Sequence, residues 1–217
     1  MSAGYAAAHV VVVGLETCPV LYLQTEGRWA RKTVAVAMFI AFLRAVNVGK
    51  RKYPMAELRE ALTTAGFEEV ETHIQTGNVL FRTSLRSRRK VVTALEAAML
   101  ADRGFEVSVV LMTPTELTET YDEARAFADD FSQQGNEIQG HYLTLLSEPP
   151  NAEAAKKVEA RSEPEEEVRV GKRAVHLLLA KPYHEASTSN AEVERHLGVA
   201  TTRSLTVITK LAEKWGQ

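Results

Sequence analysis

Cysteine is almost absent: Cys18 is the single one in 217 residues, which excludes an internal disulfide and a cysteine-based metal site and fits a reducing cytoplasm. With no His or Lys close to it in sequence, Cys18 reads as a packing residue rather than a nucleophile. A long uninterrupted apolar run is missing as well. AHVVVVGLETCPVLYLQ (Ala8 to Gln24) is broken by Glu16 and Pro19 and is too short to span a bilayer. A secretory signal carries positive charge ahead of its apolar stretch, yet the first Lys or Arg here is Arg28, after it. No targeting signal and no membrane partner are expected, and the chain is read as cytoplasmic.

An excess of one charge is lacking too: 26 Lys and Arg stand against 28 Asp and Glu, a net charge of -2. Nucleic-acid binders draw much of their affinity from neutralising phosphates, so nucleic acid is not expected as a partner. There is no GxxxxGK[ST] loop, no GxSxG elbow, no HExxH and no cysteine pair. Phosphate-loop hydrolysis, serine-hydrolase chemistry and a familiar zinc site therefore lack their required spacing, and no cofactor or metal is implied. His73 and His176 lie on predicted strands and His141 opens one; isolated strand histidines of this kind usually serve structure.

What is present is the composition of an ordinary globular chain, 45% hydrophobic and 25% charged. From Met38 the pattern runs strand (FIAFLRAV), helix (Met55, Leu58, Leu62 and Ala65 on one face), strand (VETHI), strand (VLFRT), helix (Val91, Leu95, Ala98 and Met99) and strand (EVSVVLM). The turn Gln75-Thr76-Gly77-Asn78 reads as a hairpin in which Gly77 and Asn78 take positive φ. Thr113, Pro114 and Glu116 form a capping box that opens a helix through Leu117, Tyr121, Ala124 and Phe127. After SQQGNEIQG the order recurs: strand HYLTLLS, helix from about Asn151 to Ala160, strand EEVRV, strand RAVHLLLA and a helix opened by Ser189 with Glu192. Ile208, Leu211, Ala212 and Trp215 carry helical spacing where a last strand would complete the repeat. The acidic run from Ser162 to Glu167 reads as a solvated loop.

The fold class is therefore α+β: two tandem ferredoxin-like (βαββαβ-type) lobes, the second ending in a helix. Residues 38–113 form the first lobe, 114–139 a connecting helix and loop, and 140–217 the second lobe with its C-terminal helix. Met38 sits immediately before the first well-patterned strand, so residues 1–37 are read as an N-terminal extension from an upstream start, with an added strand as the alternative.

In a βαββαβ sheet the third strand lies antiparallel beside the first, so the end of strand one neighbours the start of strand three. Arg44 and Asn47 should approach Gln75 and Asn78 and offer forked guanidinium and amide groups to a small anionic ligand. The bland alternative is that Asn47, Gly77 and Asn78 are turn formers and that Arg44 pairs with Glu71 or Glu106. Arg86, Arg88, Arg89 and Lys90 stand at a helix start, where their charge opposes the helix dipole; they read as a solvated face, with an anion partner as the alternative.

At LRAVNVG and QTGNVLF the chain resembles the bacterial domain of unknown function 1697 family, whose members read LRGINVG and QSGNVVF there. MAELREAL and TTRSLTVITKL extend the likeness. The resemblance implies paired ferredoxin-like lobes in one chain, with no established activity to carry over. Thr202 and Arg203 match the family's C-terminal Thr-Arg-Asn-Trp core, which adds Arg203 to the ligand-binding candidates. Ala45 replaces the usual glycine, Ser204 and Leu205 stand for Asn and Trp, and Pro182 to Asn190 lacks the lysine common before that Asn.

Three functions are then open. The first is a binding or sensing module for a small anionic or nucleotide-like ligand; the second is an enzyme of unrecognised type using the same cluster. The third is an RNA-binding module, which would need stacking aromatics on an open sheet. GNVLFRT lacks that aromatic pattern, and strand one, apolar on both faces, argues for a covered sheet.

Overall fold

The computed structural model describes residues 36–49 and 51–217, and before them the backbone of three strands; His9, Cys18 and Lys50 lie outside the described residues. The chain divides into two compact units, Met1–Ala37 and Met38–Gln217. In the first, β1 (Val10–Val13), β2 (Val20–Thr25) and β3 (Arg28–Thr33) form an antiparallel sheet in that order, with Val10 opposite Leu23 and Val20 opposite Thr33.

The second unit opens with β4 (Ala37–Leu43), α1 (Met55–Thr64), β5 (Glu68–His73), β6 (Asn78–Thr83), α2 (Arg88–Arg103) and β7 (Val109–Met112). These four strands form one sheet in the order β5-β6-β4-β7. The helix α3 (Pro114–Gln133) follows, then β8 (Gly140–Leu146), α4 (Ala152–Glu159), β9 (Glu166–Val170), β10 (Ala174–Leu179), a 3-10 turn (Tyr183–Glu185), α5 (Asn190–Leu197), β11 (Ala200–Ser204) and α6 (Leu205–Trp215). Their sheet runs β11-β8-β10-β9. In both halves the first and third strands are central and the second and fourth lie at the edges.

Local sequence accounts for most of these elements. Met55, Leu58 and Leu62 bury one face of α1, and Val91, Leu95 and Met99 one face of α2, which ends at Gly104 with φ 71°. In α3 the Thr113 hydroxyl accepts the Glu116 N–H while the Glu116 carboxylate accepts the Thr113 N–H, the reciprocal pair expected of a capping box. β4 is buried on both faces from Phe39 to Leu43, as its two-sided apolar pattern demands. A continuous core joins the two sheets: Ile40, Phe42, Val110 and Met112 meet Leu143, Leu145 and Ala174, with Leu117 and Ala124 of α3 and Ile208, Leu211 and Trp215 of α6 packed into the same cluster.

Four expectations need correction. The hairpin turn spans 74–77 rather than 75–78, and positive φ falls on Ile74 and Gly77, while Asn78 is already the first residue of β6. The predicted strand EVSVVLM is ordered as a strand only from Val109, after an irregular lead-in. The missing last strand is present: β11 holds five residues and runs straight into α6. The acidic run is not simply a solvated loop, because Glu166 starts β9 fully buried. Its carboxylate accepts the N–H groups of Ser187 and Thr188 and pairs with Lys181 at 3.0 Å, tying down the loop before α5.

Candidate functional site

Of the five residues singled out from the sequence, Arg44, Asn47, Gln75 and Asn78 lie at one end of the β5-β6-β4-β7 sheet, where Leu43 N–H donates to Gly77 O at 2.8 Å, and Arg203 reaches them from β11. The polar atoms of three of them, Asn47, Asn78 and Arg203, are however turned on one another and on the backbone. The Asn47 carboxamide donates to Tyr53 O and Gln75 O and accepts Tyr53 N–H, closing the loop that φ values of 55° at Ala45 and 56° at Asn47 create. Asn78 is fully buried; its amide donates to His73 O and to the Thr76 hydroxyl, and its oxygen accepts Arg203 Nε at 2.7 Å.

Arg203 itself is buried and reaches Thr201 Oγ1, Thr202 O, Leu43 O and Thr76 O with its remaining donors, at 2.8 to 3.0 Å. Burial pulls its guanidinium down to about 10, still protonated at neutral pH. Asn47, Asn78 and Arg203 therefore brace the fold and have no donors left for a ligand, the physical reason being that buried amide and guanidinium groups must be satisfied internally. Arg44 stays half-exposed and pairs with Glu194 at 2.6 Å, not with Glu71 or Glu106. Gln75 is exposed, and its side chain makes no hydrogen bond among the described residues.

A second convergence of polar groups lies where the two halves meet. The face of α2 carrying Arg88, Arg89, Val92, Thr93 and Glu96 forms one wall of a cavity of about 260 Å³; Val109 and Leu111 of β7 and, from the second half, Ser147, Glu148 and Val199 form the rest. Arg88 donates to Leu111 O at 3.0 Å and pairs with Glu116 at 2.6 Å. The other oxygen of Glu116 takes Arg173, which is buried and also donates to Leu111 O, Leu146 O and Ser147 O. Burial would raise the Glu116 carboxyl, but the two guanidinium groups and the Thr113 N–H hold it below its ordinary value.

Arg89 is different: it is exposed and makes no ion pair or hydrogen bond among the described residues. Glu96 is half-buried, one oxygen accepting Val109 N–H at 3.2 Å, and burial pushes its carboxyl up, with Glu106 adding in the same direction. A perturbed carboxyl in a cleft between two structural halves marks a candidate site.

The sequence pattern puts Arg88 and Arg89 on a solvated helix face, with an anion partner as the alternative. The spacing of 89, 92, 93 and 96 shows that these residues share one side of α2. What lies opposite that side is set by chain segments 13 to 103 residues further on, beyond the reach of any local pattern.

Two other features were not foreseen. His141 and His176 meet inside the second half, Nε2 to Nδ1 at 3.3 Å, with Phe127 of α3 edge-on to His176. Burial holds His141 down to about 4 and His176 to about 3, so both are neutral. A larger hollow of about 530 Å³ runs beside α6, lined in part by His141, Thr206, Lys210 and Glu213. There Lys210 and Glu213 share one helix face. Among the described residues no group of three or more His, Cys, Asp or Glu side chains could hold a metal ion, and no helix is long and apolar enough to cross a membrane.

The model of a family described as protein of unknown function (DUF1697) matches residues 36–176, well over half of the chain. The chain belongs to this family. In this DUF1697 protein the matched segment contains both polar turns, Arg89, Glu96 and Glu148, and ends before Val199 and Arg203. The fold is also similar to that of the conserved bacterial protein SP0830 from Streptococcus pneumoniae, with a TM-score of 0.62 over 83% of this chain and 99% of that one, at 22% identity. At that identity the likeness speaks for the fold alone. No curated protein matches the chain.

Proposed function

We propose that this DUF1697 protein is a binding module for a small ligand carrying an anionic group, and that the ligand sits in the cavity at the meeting of the two halves. The observation that carries the reading is the guanidinium of Arg89, unpaired among the described residues, at the mouth of a cavity whose other arginine is already spent on Glu116. A forked guanidinium of this kind suits a carboxylate or a phosphate. The five-residue cluster supports the same module indirectly, with Arg203 and Asn78 as the brace between halves. The strand order within each sheet, with helices after the first and third strands, supports reading the halves as tandem ferredoxin-like lobes.

The test is a thermal-shift screen of small carboxylates and phosphates on the wild type and on Arg89→Ala. At least one anion is expected to stabilise the wild type in a saturable way, by about 2.7 kcal/mol at a hundredfold excess over its Kd, and to leave Arg89→Ala unmoved while the unliganded variants melt together. Absence of any stabilising anion, or a shift that survives the substitution, would rule the reading out.

Glu96 favours a second reading, an enzyme in which its carboxyl, held up by burial, serves as a general acid. Substrate turnover by the wild type that is lost in Glu96→Gln would distinguish this from binding alone.

A further inference from the structure

We infer that the occupant of the cavity between the halves is a short linear zwitterion, with its carboxylate on Arg89 and its ammonium on Glu96. This rests on the anion-binding reading and adds a second, opposite charge to it. The cavity lining is balanced, Arg88 and Arg89 against Glu96 and Glu148, which disfavours a ligand of high net charge. Arg88 is neutralised by Glu116, and exposed Glu148 lies close enough to the buried Arg173 guanidinium to act on it. Arg89, Glu96 and Glu148 then make no ion pair among the described residues; with the field of Glu148 falling on Arg173, Arg89 and Glu96 are the two charges left for a ligand.

These two make no ion pair with each other. They stand seven residues apart on one face of α2, about 10 Å along the helix axis. Val92 and Thr93 lie between them, with Val109 and Leu111 across the cavity. Where the two side chains stand off the helix side by side, their charged heads keep that spacing, and a hydrogen bond of about 3 Å at each end leaves roughly 4 to 5 Å between the charged groups of a bridging ligand.

That is the span of an ω-amino acid such as 4-aminobutanoate. A dicarboxylate of equal length would set a second anion against Glu96, and a diamine would set a cation against Arg89. Glu96 uses one oxygen on Val109 N–H and has the other to offer. An ammonium partner would favour the charged carboxylate and so oppose the burial that pushes the carboxyl up.

Calorimetric titration of the full chain with 4-aminobutanoate, glutarate and 1,4-diaminobutane at neutral pH tests the inference. The zwitterion is expected to bind at least tenfold more tightly than either symmetric probe. Glu96→Gln, whose amide oxygen can still accept Val109 N–H and keep the edge of β7 satisfied, is expected to reduce that margin over glutarate to less than twofold. Glutarate or the diamine binding as tightly as 4-aminobutanoate to the wild type overturns the zwitterion, as does a preference that persists in Glu96→Gln. Failure of all three probes overturns it too, and the separate screen of carboxylates and phosphates then decides whether anion binding survives without it.

Discussion

His141 and His176 carry the clearest consequence at the scale of single residues. Each has an unfolded-state value near 6.5 and is held by burial at about 4 and about 3 in the folded chain. Between these limits the unfolded state binds more protons, so the stability they contribute is complete above pH 6.5 and is lost as the pH falls toward 4 and then 3. Arg169 adds to the depression of His176, and His73 is pushed the same way by burial and by Lys214 and Lys210. Glu166, held down to about 2 by its bonds to the 181–188 loop and Lys181, loses its contribution only below about pH 4.5. The window from pH 6.5 to 5 thus belongs chiefly to histidine. Urea unfolding across it should show stability falling by up to about 1.4 kcal/mol per pH unit for each buried histidine, and His176→Gln should flatten that slope. Ala45 illustrates the same scale differently: its φ of 55° explains why a glycine is usual at that position in the resembling family.

Among the elements, the β5–β6 hairpin depends closely on a single residue. Gly77 has φ 76°, and a β-carbon there would lie 2.5 Å from Val46 Cγ2 and 2.8 Å from Leu43 Cβ. The turn is pressed against the end of β4 and the loop after it, so neither neighbour can withdraw without disturbing β4. Gly77→Ala should therefore destabilise the chain by about 2 to 4 kcal/mol, adding steric overlap to a left-handed backbone. Chemical denaturation measures the loss, and a value below about 1 kcal/mol would mean that the turn relaxes freely. Glycine at this point was legible as a turn signal; that its hydrogen faces Val46 and Leu43 was not, because that contact depends on β6 docking beside β4.

For the whole of residues 38–217, the shared core decides behaviour. Phe42, Val110 and Met112 of the first half and Leu143 and Leu145 of the second are buried against one another and against α3 and α6, and Arg203 and Arg173 tie backbone carbonyls across the same junction. The second half has a further apolar cluster of its own around Val158, Val168, Leu177 and Val193, but the face of its sheet carrying Leu143 and Leu145 is closed only by the first half. A fragment of residues 38–139 should expose that surface, bind a hydrophobic dye and show no cooperative melting, whereas residues 38–217 should unfold in one transition by both circular dichroism and tryptophan fluorescence. Two separated transitions in the longer chain would show that the halves are independent.

Spacing over a few residues was enough to determine the order of helices and strands from β4 to α5, the capping box of α3 and the two-sided burial of β4. These depend on periodicity and on turn chemistry, both of which act within a span of four to seven residues. The fates of individual polar side chains were settled elsewhere. Asn78 and Arg203, 125 residues apart, satisfy each other inside the junction. Glu166 is drawn from an acidic run into a loop anchor, and Arg89 and Glu96 acquire an opposite wall from chain far beyond α2. Whether a polar group is spent on the fold or left for a ligand depends on which distant backbone or side chain closes over it, and burial of that kind is a property of the packed molecule alone.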